Sequence, residues 1–280
     1  MQGKLGAMRA VVAAIAVTTS AIMGAAAATA ADGADREVKA YTGGGSGPEF
    51  SVNATYTSDY RFRGFTQTRE KPALQGGIDA VWPNFYVGLW ASSVDFGTDL
   101  STFKDVANVE VVPYVGFKRD VWGYKVDLRA MYYAYPGGHG EFNTAKGLVK
   151  DLDYFEGMIG WSREIHPGLT LSSNIYYSPD YQGGVGQNWV FETGIARKLG
   201  TYHGITPTFS ALLGSQYGDE KKGGFDYYYW NAGVSFLFAD YFEFDIRYYD
   251  TFDVPSSATV TGNCRNVCDG RVVARITFEN

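Results

Sequence analysis

Cys264 and Cys268, the chain's only cysteines, stand as C-x3-C in a stretch rich in Ser, Thr, Asn and Asp. Thiols so placed either pair with each other or supply part of a metal site. A zinc site needs four ligands, and no histidine lies near. In an oxidising compartment the disulfide is favoured, and its stabilisation is slight because so small a loop removes little chain entropy. The three histidines, His139, His166 and His203, fall in connecting stretches, not on a strand beside a suitable serine. A hydrolase needs nucleophile, base and orienting group at one place, so these read as solvated side chains. Gly183-Gly184-Val185-Gly186 imitates a phosphate-cradling loop, but no helical pattern follows it. Asp95 and Asp99 lack the spacing of a metal loop. No catalytic residue, cofactor or metal is expected.

What remains is charge, and charge here is patterned. Phe242-Glu243-Phe244-Asp245-Ile246-Arg247-Tyr248 alternates apolar and ionised side chains at every step. Successive side chains of a strand point to opposite faces, so this is a strand with one apolar and one charged face. The charged faces of such segments carry Arg61, Lys125, Arg129, Arg247 and Arg275. Against them stand Asp59, Asp79, Glu110, Asp127, Glu156, Glu192, Glu243 and Asp245. Two roles are open to these groups. They line a water-filled pore and set its ion preference, or they pair across strands and fill the interior, because ions held away from bulk water need partners.

The N-terminus sets the compartment. Lys4 and Arg9 precede an uncharged Ala/Val/Ile stretch from Ala10 to Ala28, and Ala28-Thr29-Ala30 fits a small-x-small cleavage site. Residues 1–30 therefore read as a secretory signal peptide. Removing Lys4 and Arg9 from 24 basic residues leaves 22 against 30 acidic ones, a balance of −8. That excludes nucleic acid as an expected partner. No later segment approaches the roughly 18 apolar residues of a spanning helix. Mean hydropathy is −0.18 with 16% aromatic residues, which suits barrel strands that average lipid-facing and polar side chains.

Residues 31–48, with Gly43-Gly44-Gly45-Ser46-Gly47, read as a flexible lead-in. The pattern from there to residue 280 predicts twelve strands: Phe50–Phe62, Ala73–Trp82, Phe85–Val94, Asn108–Phe117, Trp122–Tyr135, Leu152–Trp161, Leu169–Tyr177, Asn188–Arg197, Ile205–Ser215, Tyr227–Phe238, Tyr241–Asp250 and Gly270–Phe278. Short and long connections alternate throughout, from Pro83-Asn84 to the long Thr251–Asp269 stretch. An up-and-down antiparallel barrel gives this rhythm, whereas Greek-key crossovers fall irregularly. Trp82, Trp122 and Trp161 fall by short turns, Trp189 and Trp230 by long loops, as two interfacial girdles require. Trp90 is mid-strand and fits neither girdle. Pro113 and Pro207 lack the N–H of a ladder bond and predict a bulge or strand end.

Thr57 to Gly64, TSDYRFRG, then Gln75-Gly76-Gly77 and Phe85-Tyr86-Val87-Gly88, resemble the opening of the TorF porin family, an uncharacterised Gram-negative group. The match is strong from Ser51 over about seventy residues and looser beyond. It departs at Val112-Pro113, where the family has a second acidic residue. Phe278 also stands before Glu279 and Asn280, whereas such barrels tend to finish on Phe. The resemblance implies an outer-membrane barrel and little about substrate.

The sequence thus predicts an all-β, up-and-down transmembrane barrel of about twelve strands in a Gram-negative outer membrane, passing ions or small hydrophilic solutes. The alternative is a closed barrel with a structural or surface-binding role. Outer-membrane lipid and small solutes are the expected partners; oligomeric state is open. Asp59, Arg61, Lys125, Asp127, Arg129, Glu156, Glu192, Glu243, Asp245, Arg247 and Arg275 are the candidate lumen-lining residues. Their acidic excess implies a weak cation preference, and Cys264–Cys268 is the expected disulfide.

Overall fold

Alternation of side chains leaves a sheet with one apolar and one polar face, and curling the sheet until its edges meet pairs the backbone of the edge strands and turns the apolar face outward. The computed structural model shows this closure. It describes residues 36–42, 47–99, 104–138, 142–144, 147–149, 152–258 and 263–280. The proposed signal peptide and His139 lie outside the described residues.

The barrel strands are β1 (Glu49–Thr57), β2 (Ala73–Val81), β3 (Phe85–Ser93), β4 (Val109–Val121), β5 (Tyr124–Tyr133), β6 (Tyr154–His166), β7 (Leu169–Ser178), β8 (Asn188–Lys198), β9 (Ile205–Gly218), β10 (Tyr227–Phe238), β11 (Phe242–Phe252) and β12 (Arg271–Glu279). Each pairs antiparallel with its neighbours in the chain, and β1 pairs with β12 to close the ring, from Asn53 opposite Glu279 to Thr57 opposite Arg275. Short turns lie at one end and long loops at the other. Among the described residues no helix is long and apolar enough to cross a membrane; the strands do the crossing.

The outer surface is an apolar belt. Leu89, Val115, Leu128, Ile159, Phe191, Leu213, Phe244 and Ile246 are all exposed. Aromatic rings crowd both rims, with Phe85 against Phe117 and Tyr124 against Trp161 at the short-turn end, and Tyr228 stacked on Phe252 at the other. Arg163 lies on this outer face near the short-turn rim. Its guanidinium sits 4.8 Å from the Tyr124 ring centroid, with the headgroup region in reach of its long stem.

Three sequence expectations need correction. β1 ends at Thr57, Ser58 still bonds to Ala274 of β12, and the chain then leaves the wall; Tyr60 and Phe62 pack inside the barrel, away from lipid. Pro113 causes no bulge: β4 pairs with β3 in unbroken register through Leu89↔Pro113, and the ladder to β5 skips only Val112 and Pro113 between Val111↔Ala134 and Tyr114↔Met131. Pro207 interrupts nothing either, lying opposite Phe236 beyond the part of β9 paired to β8. Trp90 faces inward, 2% exposed, edge-on to Tyr60, which is why it belongs to neither girdle.

Candidate functional site in the lumen

After Thr57 the chain turns into the barrel and folds back as a small hairpin. Asp59 organises the turn, accepting hydrogen bonds from Arg61 Nε (2.6 Å), Thr66 Oγ1 (2.6 Å) and Thr68 Oγ1 (2.9 Å). Arg61-Phe62 pairs with Phe65-Thr66, leaving Arg63 and Gly64 as the tip. Both have positive φ, 49° and 86°, as a two-residue hairpin turn requires. At Gly64 a Cβ would lie 2.4 Å from Thr251 Cγ2, so the tip touches the wall and tolerates no side chain there.

This finger fills the long-loop half of the lumen. Arg63 reaches β6 and donates two hydrogen bonds to Glu156, Nη1 to Oε2 at 3.0 Å and Nη2 to Oε1 at 2.6 Å. Its guanidinium lies 4.8 Å from the Tyr176 ring centroid and 4.6 Å from that of Phe62. Tyr227 donates to the Arg63 carbonyl, and Phe65 packs edge-on against Tyr227 at 5.1 Å. Two further wall carboxylates are held by phenols: Glu110 accepts from Tyr60 and Tyr135, and Glu192 from Tyr229 and Tyr176. The loop after β7 contributes Tyr181, edge-on to Tyr154. Burial pushes the Tyr181 phenol up to about 12, against the pull of Arg63, to which it hydrogen-bonds.

The cysteine loop latches the finger's base. Cys264 and Cys268 form a disulfide. Arg61 Nη1 donates to the carbonyls of Val267 and Asp269, and Thr66 N donates to that of Val267. Arg61 and Arg271 both reach Glu70.

The short-turn half is built differently. Arg247 donates to Asp245 Oδ2 (3.0 Å), Asn231 Oδ1 (2.8 Å) and Ser210 Oγ (2.7 Å), and Arg275 approaches Asp245 at 3.4 Å. Arg129 meets Asp127 and the Tyr86 hydroxyl. Residues 36–42, read from composition as part of a flexible lead-in, lie in this mouth. Arg36 pairs with Asp79, Lys118 donates to the Val38 carbonyl and Arg129 to that of Arg36. Beside them a cavity of about 590 Å³ opens between β2 and β7, lined by Lys39, Lys118, Lys125, Asp127, Met158 and Asn174 among others.

A family model described as "Bacterial protein of unknown function (Gcw_chp)" matches residues 41–278. The chain belongs to this family. No curated protein matches it. Among solved structures, the Gcw_chp chain is similar to a KdgM porin in complex with disordered oligogalacturonate, with TM-score 0.50 at 7% identity over 81% of this chain and 98% of that one. A second KdgM porin structure gives 0.49 at 7% with the same coverage, and a NanC porin 0.46 at 10% over 82% and 98%. At these identities the likeness is one of fold: a porin-like barrel.

The candidate residues distribute over both halves. Asp59 and Arg61 belong to the finger, while Glu156 and Glu192 lie on the wall around it. Asp127, Arg129, Asp245, Arg247 and Arg275 form the lower ion pairs. Glu243 is half-buried, and Lys125 is exposed at the cavity. Asp95 pairs with Lys71 and Arg69 in the long loops; among the described residues nothing is arranged to hold a metal ion. Sequence reading missed Arg63. Its signal was Phe62-Arg63-Gly64-Phe65, a two-residue x-Gly turn between aromatics. It also missed a repeated device: Asp59/Arg61, Asp127/Arg129 and Asp245/Arg247 are each two residues apart, so strand-like period places opposite charges on one face.

Proposed function

We propose that this protein is an outer-membrane channel for passive passage of ions or small hydrophilic solutes, closed on its external side by the finger of residues 58–68. The observation that carries this reading is that the plug is loop-borne. The buried ion pair Arg63–Glu156 joins a loop to a wall, whereas in the short-turn half Arg247 and Arg275 meet Asp245 within the wall and Arg36 of the N-terminal segment meets Asp79. Drawing the finger out exposes Glu110, Glu156 and Glu192 around a lumen lined by hydroxyls. Barrels of this class carry long loops outside and short turns in the periplasm, which puts the finger on the external side. The resemblance to the TorF porins and the porin-like fold support the same reading. An acidic constriction of this kind favours cations.

The second reading is a permanently closed barrel, favoured by the complete burial of Arg61 and Glu156. Planar-bilayer recordings separate the two. Replacing residues 60–67 by a short Gly-Ser link in refolded protein is expected to give large, reproducible, cation-preferring steps. A correctly folded variant, judged by its band shift between unheated and boiled samples, that gives no steps would leave only the closed barrel.

A further inference from the structure

The Arg63–Glu156 contact has the make-up of a receptor and a guest. The receptor half stands on barrel strands: Glu156 on β6, fully buried, and Tyr176 on the adjacent β7, 1% exposed. The guest half stands on a hairpin tip. Arg63 adopts a left-handed backbone, φ 49°, at a position where Asn or Gly sits at least cost. What the arginine brings to that position is its side chain, which ties the tip to Glu156. The wall binds that side chain as it would a free guanidinium, bidentate through Glu156 and with the Tyr176 ring against it, while Phe62 of the finger covers it at 4.6 Å. A planar fork matches a carboxylate in a way an ammonium point charge does not, and a ring face adds cation–π attraction.

We infer that the wall site formed by Glu156 and Tyr176 is a binding site for monosubstituted guanidinium groups, which Arg63 occupies in cis and from which a guanidinium-bearing solute displaces the finger. The inference rests on the finger being a displaceable closure. It deepens the channel reading by naming the solute class to which the gate responds. A tethered guest competes at the high effective concentration that its tether sets. The site is therefore masked in the intact protein and open once Arg63 is gone.

The test is isothermal titration calorimetry of methylguanidinium chloride into refolded, heat-modifiable protein. Arg63→Ala is expected to bind with a dissociation constant on the order of millimolar, within the ceiling for a ligand of so few atoms. The wild type and the Arg63→Ala/Glu156→Gln double variant should each bind at least about tenfold more weakly, a difference of about 1.4 kcal/mol. Tetramethylammonium and potassium, which lack the fork, should not compete. Arg63→Gln, which keeps more of the side-chain volume, serves if Arg63→Ala does not fold. Equal binding by Arg63→Ala and the double variant overturns the inference, and so does competition by tetramethylammonium as strong as that by methylguanidinium itself. Bilayer recordings on the same samples keep the two claims apart. Specific binding without conductance leaves the guanidinium site standing and removes the channel. Conductance without specific binding does the reverse.

Discussion

The two halves of this lumen are filled by different parts of the chain. In the short-turn half Asp245, Arg247 and Arg275 are bonded among strands β9 to β12, and the N-terminal segment adds Arg36 on Asp79. In the long-loop half the wall offers carboxylates and phenols, and a loop brings the cation. Charges paired within the wall fix the barrel's shape. A charge paired between wall and loop, as in Arg63–Glu156, ties the finger to the barrel. The same chemistry, a buried carboxylate with arginine, thus joins strand to strand at Asp245 and loop to strand at Glu156.

Removing one partner in each half sharpens the contrast. Glu156→Gln strips Arg63 of its counter-charge in a buried site, where breaking an ion pair costs about 3–5 kcal/mol. Urea unfolding should register that loss, and the finger should release. Arg247→Ala leaves Asp245 in contact with Arg275, so the cost falls to about 1–3 kcal/mol. It should shift ion selectivity towards cations without releasing the finger. An Arg247→Ala variant that opens as Glu156→Gln does would erase the distinction between the halves.

How far the sequence carried this account follows from what alternation encodes. The strands were legible because a period of two is local, and the loop rhythm gave the topology without any long-range information. Alternation reports which side chains avoid bulk water, but lipid and a packed lumen satisfy an apolar side chain equally. Tyr60 and Phe62 therefore read as a continuation of the first strand's lipid face, although the chain turns inward after Ser58, the last residue bonded to β12. Trp90 was the visible misfit, and its inward packing on Tyr60 accounts for it. The Phe62-Arg63-Gly64-Phe65 turn marks Arg63 as a hairpin tip, but its partner lies hidden 93 residues away, and the turn alone does not name Glu156. Arg36 was hidden in the same way: a Gly-rich neighbourhood says nothing of an ion pair with Asp79.

Two smaller effects probe the base of the finger. Replacing both Cys264 and Cys268 by serine removes a short closed loop, for which the chain-entropy estimate is below about 2 kcal/mol. Because Val267 and Asp269 receive Arg61, the finger should be digested faster by protease while the barrel's band shift persists. Unchanged digestion would show that the loop does not hold the finger. The smallest effect concerns pH. Burial works against the Asp95 carboxylate, but hydrogen bonds from Lys71 and the Gly97 N–H, with the charges of Lys71 and Arg69, hold its pKa below the ordinary value of 3.8. A carboxylate lowered on folding adds stability above its unfolded pKa and loses it as pH falls through the folded value. Amide exchange in residues 94–97 should therefore stay slow down to about pH 4 and quicken below it, after allowance for the intrinsic rate. Asp95 is partly exposed, so the change is slight, and Asp95→Asn should abolish it.

The central claim is that a loop-borne finger latched by Arg63 holds the lumen shut. Single-channel recording of wild type against Arg63→Ala, both refolded and both heat-modifiable, tests it most directly. The expected result is rare or small steps from the wild type and frequent, larger steps from the variant. Steps of the same size and frequency from both proteins would contradict it.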